Sequence, residues 1–565
     1  MKRFKITLAT VFVLSVALAT QLVAGSSPAR AKHGMVISQN AIASQVGVDV
    51  MKDGGNAIDA AVATAFALAV THPSAGNIGG GGFIVYRPAT GEPVAYDFRE
   101  MAPKKATETM WLDENGEYSY ERHHLSYLSV GVPGTVAGLH MAWKEAGSLP
   151  WERLVEPAIR LARDGFEVTD GLARSLDRAM ERIGEHPATK ATFTKNGTPY
   201  EMGDVLKQPD LAETLIRISE NGPAGFYEGK TAELLEKEMT ANGGLITRED
   251  LKAYRPHKRV PVRGTYRGYE IISMPPPSSG GVVLVEMLNI LEGYDLADEG
   301  FGSARALHRM AEAMRRAYSD RAHYLGDPEF NPSMPIDRLT SKEYAAQLRG
   351  TIQLDAASKS SPESFEWPME SPETTHLSVV DGERNAVSMT YTLEYGYGSG
   401  IVVPGAGFLL NNEMGDFNGA PGLTDENGLI GTKPNLVAPG KRMLSSMTPT
   451  IVAKDGQIFM VTGSPGGRTI INTVLQTILD VVDYGMNAQE AVDAGRIHHQ
   501  WLPDQITYEH LGFSPDTLHI LEWMGHHLSE RDSQGAAQVI VLNPEDGMLE
   551  GGVDRRPPDG GAAAY

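Results

Sequence analysis

Cysteine is absent from all 565 residues. That excludes disulfides, zinc–thiolate sites, iron–sulfur clusters and a cysteine nucleophile together. It says little about compartment, because exported proteins can manage without disulfides. Positive charge is scarce as well: 50 Lys and Arg stand against 71 Asp and Glu, a formal net charge of −21, and the pI is about 5.2. Such a surface repels phosphate backbones, so nucleic acid is not an expected partner. Also missing are G-x-S-x-G, G-x-x-x-x-G-K-[ST], H-E-x-x-H and G-x-G-x-x-G, and with them the usual serine elbow, P-loop, zincin and dinucleotide readings. Histidine is present in 16 copies, some in adjacent pairs at His123-His124, His498-His499 and His526-His527. Neighbours in sequence point different ways on a helix or strand, so these pairs are poor metal clamps. No metal and no cofactor are expected.

Long hydrophobic runs are lacking except at the start. A basic MKRFK precedes a mostly apolar stretch from Ile6 to Ala24, followed by small residues that include Ala29-Arg30-Ala31. This three-part pattern is that of a cleaved export signal, here residues 1–31, and implies a periplasmic or secreted protein with no membrane association after removal. The rest, 41% hydrophobic and 21% charged over the whole chain, has an ordinary globular composition.

From Ala41 to His72 apolar residues recur at helical spacing, broken at Gly54-Gly55. GFIVYRP and PVAYDFR, the second ending at Arg99, read as strands. TVAGLHMAWKEAG, LVEPAIRLARDGF and ARALHRMAEAMRRAYSDRAHYL are amphipathic helices. KSSPESFEWPMESPE then breaks the texture with three prolines and no periodicity, as an exposed, mobile loop does. HLSVVD and NAVSMTYT follow as a hairpin joined by GER, with GFLLNN, PTIVAK and QIFMVTG as further strands. TIINTVLQTILDVVDYGM is a helix and AAQVIVLNP a late strand. Helices packed over sheets in layers suit this pattern.

Two glycine-rich stretches, Asn77–Gly82 and Gly463–Gly467, read either as tight turns or as backbone donors for an anion. The second lies between a strand and a helix, where N–H groups favour negative charge. The chemistry centres on Thr374-Thr375-His376, where the polar loop meets the strand. A threonine hydroxyl needs a base beside it to act as nucleophile. A chain cut just before Thr374 would supply one, because an α-amine with a pKa of about 7.7–8.0 titrates near working pH.

The run TTHLSVVD, NAVSMTYTLEYGYGSGIVV, GFLLNNEMGDF, KRMLSSMTPTIV and GSPGG resembles the small subunit of the γ-glutamyltransferase family, also called glutathione hydrolases. The earlier half agrees through GGNAIDAAVA, NIGGGGF, DFRE, GVPGT, PPPSSGG and YLGDP, with the blocks in family order. The resemblance implies an α+β fold, the four-layer αββα sandwich of N-terminal nucleophile hydrolases. It implies a precursor that cuts itself between Glu373 and Thr374 into a large subunit, 32–373, and a small subunit, 374–565, which stay together as a heterodimer. Thr374 would be the nucleophile, with Thr392 bonded to it. Arg99, helped by Ser445 and Ser446, would take the α-carboxylate of a γ-glutamyl group. Glu413 and Asp416 would hold its α-amino group, and the N–H groups of Gly466 and Gly467 would form the oxyanion hole. Glu394 stands where many members have Asn, and a carboxylate there still accepts from the substrate ammonium. Pro421–Ala438 has the length of a lid loop, with Asn427 where some members carry a tyrosine. The implied reaction opens γ-glutamyl amides such as glutathione and passes the acyl group to water, an amino acid or a peptide. The rivals are a glutaryl or aspartyl acylase on the same scaffold and a processed but idle binding protein.

Overall fold

The computed structural model describes residues 25–360, 374–422 and 432–565. Most of the expected export signal, Glu373, Asn427 and most of the polar loop before Thr374 lie outside the described residues.

The architecture rests on two seven-stranded sheets. Their strands are β1 (Ala29–Ala31), β2 (Met35–Ser38), β3 (Gly81–Arg87), β4 (Val94–Asp97), β5 (His257–Arg259), β6 (Val262–Tyr266), β7 (Tyr269–Ser273), β8 (Thr375–Val380), β9 (Ala386–Thr392), β10 (Thr450–Lys454), β11 (Gln457–Thr462), β12 (Gln538–Leu542), β13 (Leu549–Val553) and β14 (Gly561–Ala564). The first sheet runs β14-β2-β8-β9-β3-β4-β5 and the second β1-β13-β12-β11-β10-β7-β6. Neighbouring strands are antiparallel throughout both sheets.

The β8–β9 hairpin lies at the centre of the first sheet, and its alternation sorts side chains by layer. Leu377, Val379, Val387, Met389 and Tyr391 join the core under a helical layer. The opposite face of this hairpin, turned to the second sheet, is polar. Ser378 Oγ donates to Gln538 O at 2.9 Å, Ser388 Oγ donates to Thr462 O at 2.9 Å, and His376 Nδ1 lies 2.8 Å from Thr390 Oγ1. Every polar group so buried needs a partner, and here the sheets supply partners to each other.

Helices α1 (Ala41–Lys52) and α2 (Ala57–Thr71) cover the first sheet. All of α2 is buried, and its Asn56–Asp59 capping box closes the N-terminus. The break expected at Gly54-Gly55 separates the two. Helices α3 (Thr135–Ala146), α4 (Trp151–Asp164) and α6 (Ala304–Tyr324) match their amphipathic patterns. Helices α5 (Gly280–Leu291) and α7 (Thr469–Val482) pack over the second sheet. The result is helix, sheet, sheet, helix: an α+β sandwich. No helix among the described residues is long and apolar enough to cross a membrane.

One expected strand needs correction. GFLLNN is not a strand: Leu409 makes only an isolated bridge to Val402, and the N–H groups of Leu410, Asn411 and Asn412 donate to Ile401 O, Gly79 O and Leu393 O rather than to one partner strand. Ala29–Ala31, at the approximate end of the expected signal, pairs with Leu549–Gly551 at a sheet edge. Ala31 is buried there, so a cut after it would strip the sheet of an edge strand.

Candidate active site

Thr374 stands one residue before β8 and Thr392 closes β9. The register Thr375↔Tyr391 sets these two threonines opposite each other, with Oγ1 atoms 3.4 Å apart. The end of β9 is held by the first glycine stretch. Asn77 Nδ2 donates to Thr392 O at 2.9 Å, and a Cβ on Gly80 would come within 2.0 Å of that oxygen. Asn77–Gly82 is therefore neither an anion cradle nor a simple turn; its glycines let the backbone pack directly against β9.

A pocket opens over the two threonines. Thr374, Thr392, Glu394, Arg99, Glu413, Asp416, Ser445, Ser446 and Gly467 all line it, so residues far apart in sequence converge. Met447 and Ile470 add the apolar wall. Of the expected oxyanion pair only Gly467 lines the pocket. Gly466 lies behind it with φ of 134°, its carbonyl accepting from Thr469 N at 3.0 Å. Gly467 has φ of 55°, and this left-handed turn leads into the N-terminus of α7, where the helix dipole favours negative charge.

Arg99 is fully buried just beyond β4. Its backbone is fixed first: N donates to Asp97 Oδ1 at 3.0 Å, and Tyr254 Oη donates to its O at 2.8 Å. Asp97 in turn pairs with Arg259 and Arg442, which ties DFRE to the segment carrying Ser445. The Arg99 guanidinium pairs with both Glu413 and Asp416, and Glu100 lies 3.6 Å away. The expectation of an arginine for a carboxylate and two acids for an ammonium thus meets one fused cluster. Burial pushes the Glu413 carboxyl up to about 8, although the Arg99 charge pulls it down. Burial likewise raises Glu100 to about 7. Burial disfavours the Arg99 cation, but Glu413, Asp416 and Glu100 outweigh it and raise its pKa.

The turn bearing Glu413 and Asp416 is braced by Asn411, whose Oδ1 accepts from Glu413 N at 3.0 Å and whose Nδ2 donates to Gly79 O and Gly131 O. Ser445 and Ser446 are cradled by PPPSSGG. Ser279 N and Oγ both donate to Ser445 O, and Ser278 Oγ donates to Met447 O at 2.6 Å. Sequence reasoning missed Arg321, which donates to Ser279 Oγ at 2.7 Å and to Ser446 Oγ at 2.8 Å. The available signal was an arginine on the apolar face of α6. His124 was missed too: its Nδ1 lies 3.4 Å from Glu394 Oε1. His376 does not act at the site. It is buried between the sheets, and burial lowers its pKa to about 3. The pairwise reading of histidines also missed that His526 meets His308 and Glu312. There the imidazoles bond to each other at 2.8 Å, and Glu312 pairs with Arg315 and Arg316.

The arrangement offers a paired hydroxyl nucleophile, a cationic and acidic end for a charged headgroup, and backbone donors beside the nucleophile. The family model described as Gamma-glutamyltranspeptidase matches residues 43–565. The Glutathione hydrolase proenzyme of Escherichia coli (strain K12) is 51% identical over 542 residues, covering 95% of this chain and 93% of the relative. Among solved structures, cephalosporin acylase from Bacillus halodurans superposes with a TM-score of 0.84 at 29% identity, covering 97% of this chain and 98% of that one. The gamma-glutamyltranspeptidase of Helicobacter pylori superposes with a TM-score of 0.55 at 50% identity, over 56% of this chain and 91% of that one.

Proposed function

Because the chain belongs to the gamma-glutamyltranspeptidase family, we propose that it is a γ-glutamyltransferase and glutathione hydrolase, made as a precursor that cuts itself between Glu373 and Thr374. Attack of the Thr374 hydroxyl on the preceding carbonyl exchanges the peptide bond for an ester, and water then releases Thr374 as a free N-terminus. The freed α-amine takes the proton when the hydroxyl attacks a γ-glutamyl amide. Thr392 orients the nucleophile. Arg99 binds the α-carboxylate through its planar fork, with Ser445 and Ser446 beside it, and Glu413, Asp416 and Glu394 hold the α-ammonium. Gly467 faces the developing oxyanion with its backbone N–H, a donor worth about 2.7–4 kcal/mol in such a role, and Gly466 behind it sets the turn that aims that N–H. The γ-glutamyl ester on Thr374 then passes to water or to the amine of an amino acid or peptide.

The observation that carries this reading is that the Thr374 hydroxyl shares one pocket with the Arg99–Glu413–Asp416 cluster. A glutaryl acylase is the weaker reading, since a glutaryl group has no ammonium to occupy three acidic side chains. The chain before Thr374 is the large subunit and the chain from Thr374 onward the small one. The N-terminal signal directs export to the periplasm or medium, and the mature large subunit begins upstream of Ala29, so that β1 is retained. Release of a chromogenic amine from a γ-glutamyl anilide, rising when an acceptor dipeptide is added, tests the activity. Release from the glutaryl anilide alone contradicts it.

A further inference from the structure

The departure at Glu394 has a structural counterpart. Glu394 lines the pocket and is held at φ of 79°, a conformation side chains other than glycine rarely adopt. Its carboxylate meets a buried imidazole, His124 Nδ1 lying 3.4 Å from Glu394 Oε1. The His124 ring stacks on Tyr120 at 4.6 Å and on Tyr395 at 5.6 Å between centroids. The two tyrosine hydroxyls are hydrogen-bonded to each other, which closes the clamp. Gly415 leaves room for the pair, since a Cβ there would lie 2.4 Å from His124 Nδ1 and 3.0 Å from Glu394 Oε1. Asn412 Nδ2 donates to His124 O at 3.2 Å, tying the histidine to the turn that carries Glu413 and Asp416. His124 belongs to a π-helical turn, Glu121–Leu125, a geometry that is rare and concentrated at functional sites.

We propose that His124 is the charge partner of Glu394, and that this pair determines how strongly the pocket prefers a headgroup bearing an α-ammonium over one without it. The inference rests on the γ-glutamyl reading above and deepens it. With His124 neutral, the Glu394 carboxylate adds its charge to those of Glu413 and Asp416 in holding the ammonium. With His124 protonated, the Glu394 charge is answered inside the protein. The ammonium is then held less tightly, and a glutaryl group is penalised less. Imidazole is the side chain that ordinarily changes charge between about pH 5 and 8. The groups facing His124 are Glu394 and Tyr395 after β9, Tyr118, Tyr120 and His123 on its own segment, and Glu413 and Asp416 flanking Gly415. Burial keeps His123 neutral, its pKa well below the ordinary value, and raises those of Tyr118 and Tyr395. Glu413 titrates in its own right, so the evidence for His124 lies in differences between variants. His124 acts through Glu394 and is a positioning residue.

The test measures kcat and KM for γ-glutamyl and glutaryl anilides from about pH 5 to about pH 9. The proteins are the wild type, His124→Phe, which keeps the stacked ring without the charge, His124→Asn, Glu394→Gln and the His124→Phe/Glu394→Gln double variant. In the wild type the γ-glutamyl preference falls by about tenfold on the acid side, the order of magnitude of one added charge–charge interaction at the site. The fall comes through KM with kcat nearly constant. Both His124 variants lose this acid limb, and His124→Phe changes nothing further once Glu394 is Gln. If His124→Phe fails to fold, His124→Asn reads the same limb. Wild-type preference and pH profile in the folded His124 variants, or additive effects in the cycle, overturn the proposal while leaving the γ-glutamyl activity standing. A wild type that opens only the glutaryl anilide overturns both.

Discussion

At the scale of residues, the pocket is organised around one guanidinium. Arg99 has no exposed surface and faces Glu413, Asp416 and Glu100 together, so the site already holds both signs of charge, as the proposed zwitterionic headgroup requires. Arg99→Ala is expected to lower kcat/KM for γ-glutamyl anilide by about 2–5 kcal/mol, the usual cost of truncating one partner of a buried charged pair. Cleavage before Thr374 is expected to continue, because the guanidinium pairs with Glu413 and Asp416 and its proposed role is in headgroup binding alone. Steady-state kinetics on the cut variant check this, and a near-normal kcat/KM removes Arg99 from the headgroup site. His376, two residues from Thr374, makes a separate prediction. Its folded pKa of about 3 lies below the ordinary value of 6.5. The unfolded chain therefore takes up a proton first as pH falls through about 6.5, and the native state loses about 1.4 kcal/mol per unit below that from this residue alone. His376→Gln lacks that loss. The gap in Tm between variant and wild type should shift in favour of the variant between about pH 7.5 and about pH 5.5. A constant gap would mean that His376 is charged between the sheets.

At the scale of elements, β8, β9 and the β11–α7 turn divide the labour. Thr392→Val is expected to slow both precursor cleavage and turnover, since its hydroxyl opposes Thr374 in the β8–β9 register. A bulky side chain at Gly466, whose φ of 134° does not suit one, should leave a cut and folded enzyme with slow turnover. Band conversion and anilide hydrolysis followed in the same samples separate the two. Normal rates in Thr392→Val, or a Gly466 variant blocked in cleavage alone, contradict the assignment. The hairpin, helix α2 with its glycine break and helix α6 were legible in sequence, because each shows one clear period over its whole length. β1 and β14 were not, because three or four residues, mostly alanine, acquire strand character only from the partners they meet. Resemblance to family blocks brought the candidate residues together, but not the supports beneath them. Arg321 and His124 look like ordinary members of a helix and a turn until α6 is seen beside Ser446 and the Glu121–Leu125 turn beside Glu394. Gly466 and Gly467 are adjacent in sequence, yet only the second lines the pocket, a distinction set by backbone dihedrals that composition does not carry.

At the scale of the molecule, the point before Thr374 divides a chain whose two halves share both sheets. In the first sheet β8 from the later half pairs with β2 from the earlier one, and β9 pairs with β3. In the second, β10 pairs with β7, and β13 pairs with β1. Two chains so interleaved cannot part without dismantling both hydrogen-bonded ladders, so the cut protein should elute as one particle in high salt and separate only on denaturation. Elution of free subunits from native protein would contradict the shared-sheet arrangement. The most direct measurement is intact-mass spectrometry with N-terminal sequencing of purified protein, alongside Thr374→Ala. Two chains, the smaller beginning Thr-Thr-His, in an active wild type and one uncut, inactive chain in Thr374→Ala are the expected result. An active enzyme that stays in one piece, or a small chain beginning at any other residue, would show that Thr374 is not the nucleophile.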